Sequence, residues 1–219
     1  MGHGNSVAYT SSFGATYGSW MSYDDPYNND TIWLPPSAFV LATIAYSDSI
    51  SEVWFPAAGF TRGIIQEATA IQYSPTQGER DLMLGPGNSV NPIVDFGNDG
   101  LVIWGDKSLV RTDTLRSSFS ICRLMASLTR VVELAAKVYV FEPNDDLSRE
   151  NLVNSLESVL QDVSWRRGIE RFEVKDVTTS YHINKKTMRI LVFIVPQQAA
   201  EKIEIPFVLT SSGQAFADV

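Results

Sequence analysis

Residues 145–175 read DDLSRENLVNSLESVLQDVSWRRGIERFEVK, and two periods meet in this stretch. From Leu147 to Arg167, the residues Leu152, Leu156, Val159, Leu160 and Val163 recur at three- and four-residue spacing, which lays them along one stripe of an amphipathic helix. Asp145 and Asp146 stand in front of it, where carboxylates accept from free N–H groups and suit the positive end of the helix dipole. Gly168 is a good stop. From Arg171 to Lys175 the period becomes two: Phe172 and Val174 point one way, Arg171, Glu173 and Lys175 the other. A striped helix beside a strand with one apolar face predicts helices packed on a sheet.

Working outward toward the C-terminus, Met188 to Val195 is apolar on both faces over its second half, as a central strand is. In Lys202 to Leu209, Ile203, Ile205, Phe207 and Leu209 alternate with Lys202, Glu204, Pro206 and Val208. Pro206 has no N–H for a ladder, so this is an edge strand. Such an edge is either a template for another chain's strand, with Ile203, Ile205, Phe207 and Leu209 at the contact, or an edge covered by the protein's own loop. The pattern leaves both open.

Toward the N-terminus, Asp113 to Val138 reads as a helix, with Leu115, Phe119, Cys122, Met125, Val132 and Ala136 at helical spacing and Cys122 as a core residue. Asn91 to Phe96 and Leu101 to Trp104 flank Gly97-Asn98-Asp99-Gly100, a hairpin signal. Gln77 to Leu84 makes one or two helical turns, and a strand is expected around Ala68 to Gln72. Leu34-Pro35-Pro36-Ser37 opens a helix ended by Asp48 and Ser49, and because Ala38 to Tyr46 is apolar nearly all round, burial is expected. Residues 6–30 read as loop with short extended pieces, and Tyr9, Phe13, Tyr17, Trp20, Tyr23 and Tyr27 predict that the segment packs on something. The fold class is α/β in the mixed α+β sense: helices on a mixed β-sheet with an exposed C-terminal edge strand. Residues 1–30 form an N-terminal aromatic-rich segment, with 1–6 read as a cloning remnant, and residues 31–219 form the core domain.

Composition narrows the function. Hydrophobic side chains make up 44% of the 219 residues, enough for a real core. The net charge of −8 argues against general nucleic-acid binding, which needs Lys and Arg to displace counterions, though not against a local basic patch. One cysteine permits no internal disulfide. No apolar run reaches the ~18 residues of a membrane span, and a signal-peptide pattern is lacking.

Chemical motifs are nearly absent. There is no GxxxxGK[ST], no GxGxxG and no GxSxG. His182 is the sole histidine beyond residue 3 and reads as exposed filler in a loop. Glu142, Asp145 and Asp146 are the best catalytic candidates, since neighbouring carboxylates can divide acid and base roles or hold a hard cation, but a helix cap explains them more simply. Arg116, Arg123, Arg130 and Lys137 lie seven residues apart and so form a row along one helix face. The row either steers an acidic partner or is an ordinary solvated face. No cofactor or metal is expected.

The order of several blocks resembles contractile tail sheath proteins of phages and related particles. Phe13-Gly14-Ala15-Thr16-Tyr17-Gly18-Ser19-Trp20 is similar to the family's aromatic block, with Gly-Ser where Tyr-Pro is frequent. Pro35-Pro36-Ser37 with its helix, Trp54-Phe55-Pro56-Ala57, and Asn91-Pro92-Ile93 through Val102-Ile103-Trp104-Gly105 follow. Arg123-Leu124 falls at an Arg-Arg-Leu pattern, Phe141-Glu142-Pro143-Asn144-Asp145 matches FEPND in full, and Val195-Pro196 through Ala200-Glu201-Lys202-Ile203 resembles the family's ending. Lys107-Ser108 and Gln197-Gln198-Ala199 depart from it. The resemblance implies a structural subunit, not an enzyme, in stacked hexameric rings around a tail tube, with neighbours linked by exchanged terminal strands. It implies partners in other sheath subunits, the tube, the baseplate and the tail terminator, without direct contact to nucleic acid or membrane, and a place in the virion after assembly in the host cytoplasm. It also implies a tube-facing role for Arg116, Arg123, Arg130 and Lys137. A tailocin or secretion-system sheath fits the same blocks. The chain is short for such a protein, whose members usually carry an N-terminal arm and variable outer domains.

Overall fold

The computed structural model describes residues 10–85 and 87–201. In chain order they form β1 (Thr16–Tyr17), β2 (Met21–Asp25), β3 (Asp30–Leu34), α1 (Pro36–Ile50), α2 (Gly59–Arg62), β4 (Ile64–Ile65), β5 (Ala70–Ile71), α3 (Gln77–Leu84), β6 (Val90–Asn91), β7 (Ile93–Asp95), β8 (Leu101–Ile103), α4 (Phe119–Lys137), α5 (Asp146–Trp165), β9 (Ile169–Asp176), α6 (Ser180–Asn184) and β10 (Ile190–Pro196). The class is mixed α and β. The strands form four small sheets, ordered β3-β2-β5, β4-β8-β7, β1-β6 and β10-β9, the β1-β6 pair being parallel. The strand expected over Lys202–Leu209, with Ile203, Ile205, Phe207 and Leu209, lies outside the described residues.

Two apolar cores organise these pieces. Met21, Phe39, Val40, Ile65, Ile93, Leu101 and Ile103 bury α1 against the short strands of the first half. Leu152, Leu156, Leu160 and Val163 of α5 meet Leu124 and Leu128 of α4 on one side and Ile169 and Val174 of β9 on the other. The α5 stripe is the one read from the sequence, with Val159 only half-buried. Asp145 caps α5 by accepting from the Ser148 N–H at 2.8 Å. The stop differs in detail: Arg167 takes the left-handed conformation (φ 63°), and Gly168 is there for close approach. A Cβ on Gly168 would lie 2.7 Å from Val163 Cγ1 and 2.9 Å from the Trp54 ring. The Trp54 indole N–H donates to the Arg166 carbonyl at 3.2 Å, so the loop after α1 is fastened to the end of α5.

Several expectations change. Helix α1 runs on to Ile50 and is not buried all round: Phe39, Val40, Thr43 and Ser47 face inward, while Leu41, Tyr46 and Ile50 are exposed. Helix α4 starts at Phe119 and not Asp113, because the Ser, Thr and Asp before it make their own turn. Ser117 Oγ donates to the Thr114 carbonyl at 2.7 Å, residues 115–117 form a 3-10 turn, and Ser118 becomes the N-cap. The buried stripe of α4 is Ile121, Leu124 and Leu128, leaving Leu115 and Met125 exposed and Cys122 half-buried. The Cys122 thiol rests on the Arg116 carbonyl at 3.3 Å, and burial pushes its pKa up. His182 is on α6 and not in a loop, where its ring and the Thr179 hydroxyl and N–H form a capping box. Of the N-terminal aromatics, Tyr17 and Tyr23 pack on the first core, whereas Phe13, Trp20 and Tyr27 are exposed. Burial raises the Tyr17 pKa to about 12.

Candidate assembly surface

Strand β10 was expected at the centre of a sheet. Among the described residues its strand partner is β9, antiparallel, with Val192 opposite Val174, Phe193 opposite Glu173 and Ile194 opposite Phe172. The inner row of Ile190, Val192 and Ile194 packs on the α5 core. The outer row of Leu191, Phe193 and Val195 stays exposed, Phe193 by 51%. It lies beside Lys175 and Glu173, which pair at 2.9 Å, and the Lys175 ammonium sits 5.7 Å from the Phe193 ring. Among the described residues neither outer edge of this two-stranded sheet has a strand partner, so each presents unpaired N–H and C=O groups.

The basic row is partly dismantled. Arg116 lies in the 3-10 turn ahead of α4 and is exposed. Arg123 turns to Asp48 of α1 and forms a half-buried ion pair that ties the two halves of the fold together. Arg130 and Lys137 are exposed and make no ion pair among the described residues. Val131, Leu134 and Val138 are exposed alongside them, so this side of α4 is a mixed basic and apolar strip.

The Phe141-Glu142-Pro143-Asn144-Asp145 turn is structural. Phe141 is held at φ 73° and fully exposed, Glu142 and Pro143 are exposed, and Asp145 caps α5. The Ser148 N–H and hydroxyl hold the Asp145 carboxyl below the ordinary carboxylate range. The Asn144 amide donates to the Thr187 carbonyl at 3.2 Å, and its oxygen accepts from Arg149 at 2.9 Å. Arg149, buried, also pairs with Asp146 and with Asp176 at 2.9 Å. The carboxylates considered for catalysis are therefore a cap, a salt-bridge partner and an exposed side chain. No group of three metal-ligating residues occurs among the described residues. Sequence reading missed Arg149. The available signal was a cation in the first turn of a helix, where the dipole disfavours it unless anions answer it.

The other blocks also meet through contacts. Asn91 is fully buried; its amide donates to the carbonyls of Thr16 (3.1 Å) and Lys107 (2.7 Å), and its oxygen accepts from the Lys107 N–H (2.6 Å). Gly105 lets the chain pass this side chain, since a Cβ there would lie 2.7 Å from the Asn91 oxygen. Trp104 packs edge-on against Phe60 and tilted against Phe96, at centroid distances of 5.3 and 5.0 Å. Asp106 accepts from the hydroxyls of Ser118 and Ser120 and from the Ser120 N–H at the start of α4, and its burial raises its pKa. Blocks far apart in sequence are thus each half of one contact.

Three curated proteins align over nearly all of this chain. The tail sheath protein of Vibrio phage KVP40 is 26% identical over 205 residues, covering 92% of this chain and 30% of that protein. The tail sheath protein of Enterobacteria phage T4 is 25% identical over 218 residues, covering 98% and 33%. That of Salmonella phage ViI is 22% identical over 204 residues. The chain resembles contractile-tail sheath proteins. It spans about a third of the length of these sheath relatives. No family model matches. Sheath-like folds recur among solved structures: an extracellular contractile injection system, the PVC sheath complex in its contracted state, superposes with a TM-score of 0.82 at 21% identity over 91% of this chain and 57% of that one. The anti-feeding prophage helical sheath, also contracted, gives 0.80 at 22% identity over 95% and 59%. Among the described residues no helix is long and apolar enough to cross a membrane.

Proposed function

We propose that this chain is the assembly core of a contractile tail sheath: a structural, non-enzymatic subunit that stacks as hexameric rings around a tail tube and contracts to drive the tube through a cell envelope. The observation that carries the reading is the β9–β10 sheet, which among the described residues is a two-stranded ribbon with an apolar outer row and no further strand on either edge, in a chain similar to sheath proteins over nearly its whole length. An added strand would satisfy the edge by main-chain bonds and cover apolar side chains, joining subunits while letting each turn as a rigid body. Ile203, Ile205, Phe207 and Leu209 supply such a strand from a neighbouring copy. Arg116, Arg130 and Lys137 face the tube, with Arg123 bracing the helix that carries them. Residues 31–219 act as the core domain, and residues 1–30 as its aromatic-rich N-terminal segment. The partners are other sheath subunits, the tube, the baseplate and the tail terminator, in a virion, with no direct contact to nucleic acid or membrane. The test is to co-express the chain with its tube protein and image by negative stain. Tubular polymers are expected, and monomers under every assembly condition would overturn the reading.

A second reading is favoured by the solved structures, which come from an anti-feeding prophage and an extracellular injection system. The same subunit physics would serve such a particle. Capsid and packaging genes beside the coding gene select the phage, and their absence selects the injection system.

A further inference from the structure

A cleft of about 330 Å³ opens at the foot of α4, lined in part by Arg62, Trp104, Asp106, Lys107, Ser118 and Glu201. Residues 198–201 form part of its wall. After β10, the Gln197 N–H donates to the Gly168 carbonyl at 3.1 Å, and residues 197–201 then run to the cleft, where Glu201 meets Lys107. The Lys107 ammonium lies 2.8 and 3.1 Å from the two Glu201 oxygens. Lys107 is no ordinary surface cation. Its backbone is gripped on both sides by the buried Asn91 amide and bridged to Ser118, and its side chain is only 19% exposed. Holding it in place therefore costs little extra side-chain entropy. The neighbouring Asp106 is already engaged by Ser118 and Ser120 at the helix start, which leaves the Lys107 charge to Glu201.

We propose that the Lys107–Glu201 pair is an exit clamp that fixes the direction in which the C-terminal segment leaves the subunit, and so commits that segment to a second copy. A hairpin back onto the open edge of β10 takes a turn of two to five residues. Residues 197–201 instead spend that length, ~17 Å at most, reaching the foot of α4. The clamp is a positioning device, and its part in assembly rests on the strand-exchange reading.

Two readouts separate the clamp from that reading. In the dilute subunit, tryptic release of the peptide beyond Lys202, followed by mass spectrometry, reports how firmly the segment is held. K107E is expected to speed release about fivefold, the upper range for a partly exposed ion pair, and K107E/E201K to restore protection, with cleavage at either lysine counted. K107M, which keeps the backbone bonds to Asn91, controls for folding and should lie between. Release at the wild-type rate in K107E, or no recovery in the double variant, overturns the clamp. In co-assembly with the tube, K107E should slow polymer growth and the double variant rescue it. Faster release with unchanged growth overturns the assembly role alone, and a wild-type chain that never polymerises overturns the strand-exchange reading while the tryptic result still decides the clamp.

Discussion

β9 and β10 are partners in one sheet, yet they solve different problems. In β9, Phe172 and Val174 enter the core while Arg171, Glu173 and Lys175 meet water, so its two side-chain faces are matched to core and solvent. β10 buries Val192 and Ile194 against the same core but leaves Leu191, Phe193 and Val195 outside. α5 and α4 repeat the contrast: α5 carries one apolar stripe and buries it, while α4 buries Ile121, Leu124 and Leu128 and exposes Val131, Leu134 and Val138. A second apolar face costs solubility and adds nothing to the stability of the lone subunit. β10 and α4 each carry such a face, and these are the two places where an assembly contact is proposed.

The sharpest break in that comparison comes from the finished side. Leu160→Ala, at a side chain with no exposure, should cost about 3 kcal/mol by denaturant unfolding, with assembly lost only as folded protein is lost. Phe193→Ser, on the unfinished side, should change stability by less than about 0.5 kcal/mol yet abolish polymer growth by electron microscopy. If both substitutions affect the same property, the two strands do not differ as argued.

Next in size is the hub beneath the FEPND turn. Arg149→Met should destabilise by about 2 kcal/mol, below the full value for a broken buried pair because Asp176 is partly open to water. The Asp176 carboxyl is itself partly desolvated, but bonds from Thr178 and Arg149 prevail and hold it below its ordinary value. A depressed carboxylate contributes stability above its unfolded pKa and loses it as pH falls through the folded one. The difference between wild type and Arg149→Met should accordingly narrow in the acid range below 3.8, and a constant gap across pH would contradict the ion-pair account.

A smaller effect is expected on α4. R130E with K137E should leave the melting temperature within a degree or so, since both side chains are exposed, but weaken assembly on the tube in a salt-dependent way. Unchanged assembly would return the strip to plain solvation. The smallest effect is Asp145→Ala: it removes the α5 cap, lowers the melting temperature slightly at neutral pH, and does so less as acid protonates the wild-type carboxyl.

The sequence was most legible where one element has one face. The stripe of α5, the alternation of β9, the Gly97–Gly100 hairpin and the short helix at Gln77–Leu84 were legible in local sequence. It was least legible where apolar residues lie on two sides. On α4, Met125, Val131 and Leu134 are exposed while Ile121, Leu124 and Leu128 are buried, and a period cannot say which apolar positions face inward. The start of α4 was misplaced for a similar reason, since its N-cap is completed by Asp106, twelve residues back and in another loop.

By itself, the sequence determined the longer elements, their order and the family resemblance, because periods, caps and glycine turns are short-range consequences of residue type. Tertiary structure decided which carboxylate is a cap and which a salt bridge, that Arg123 serves Asp48 while Arg130 makes no ion pair among the described residues, and that the outer row of β10 is exposed. Those outcomes depend on what sits opposite a side chain in space, and partners as distant as Lys107 and Glu201 are brought together only by the packing of the two cores.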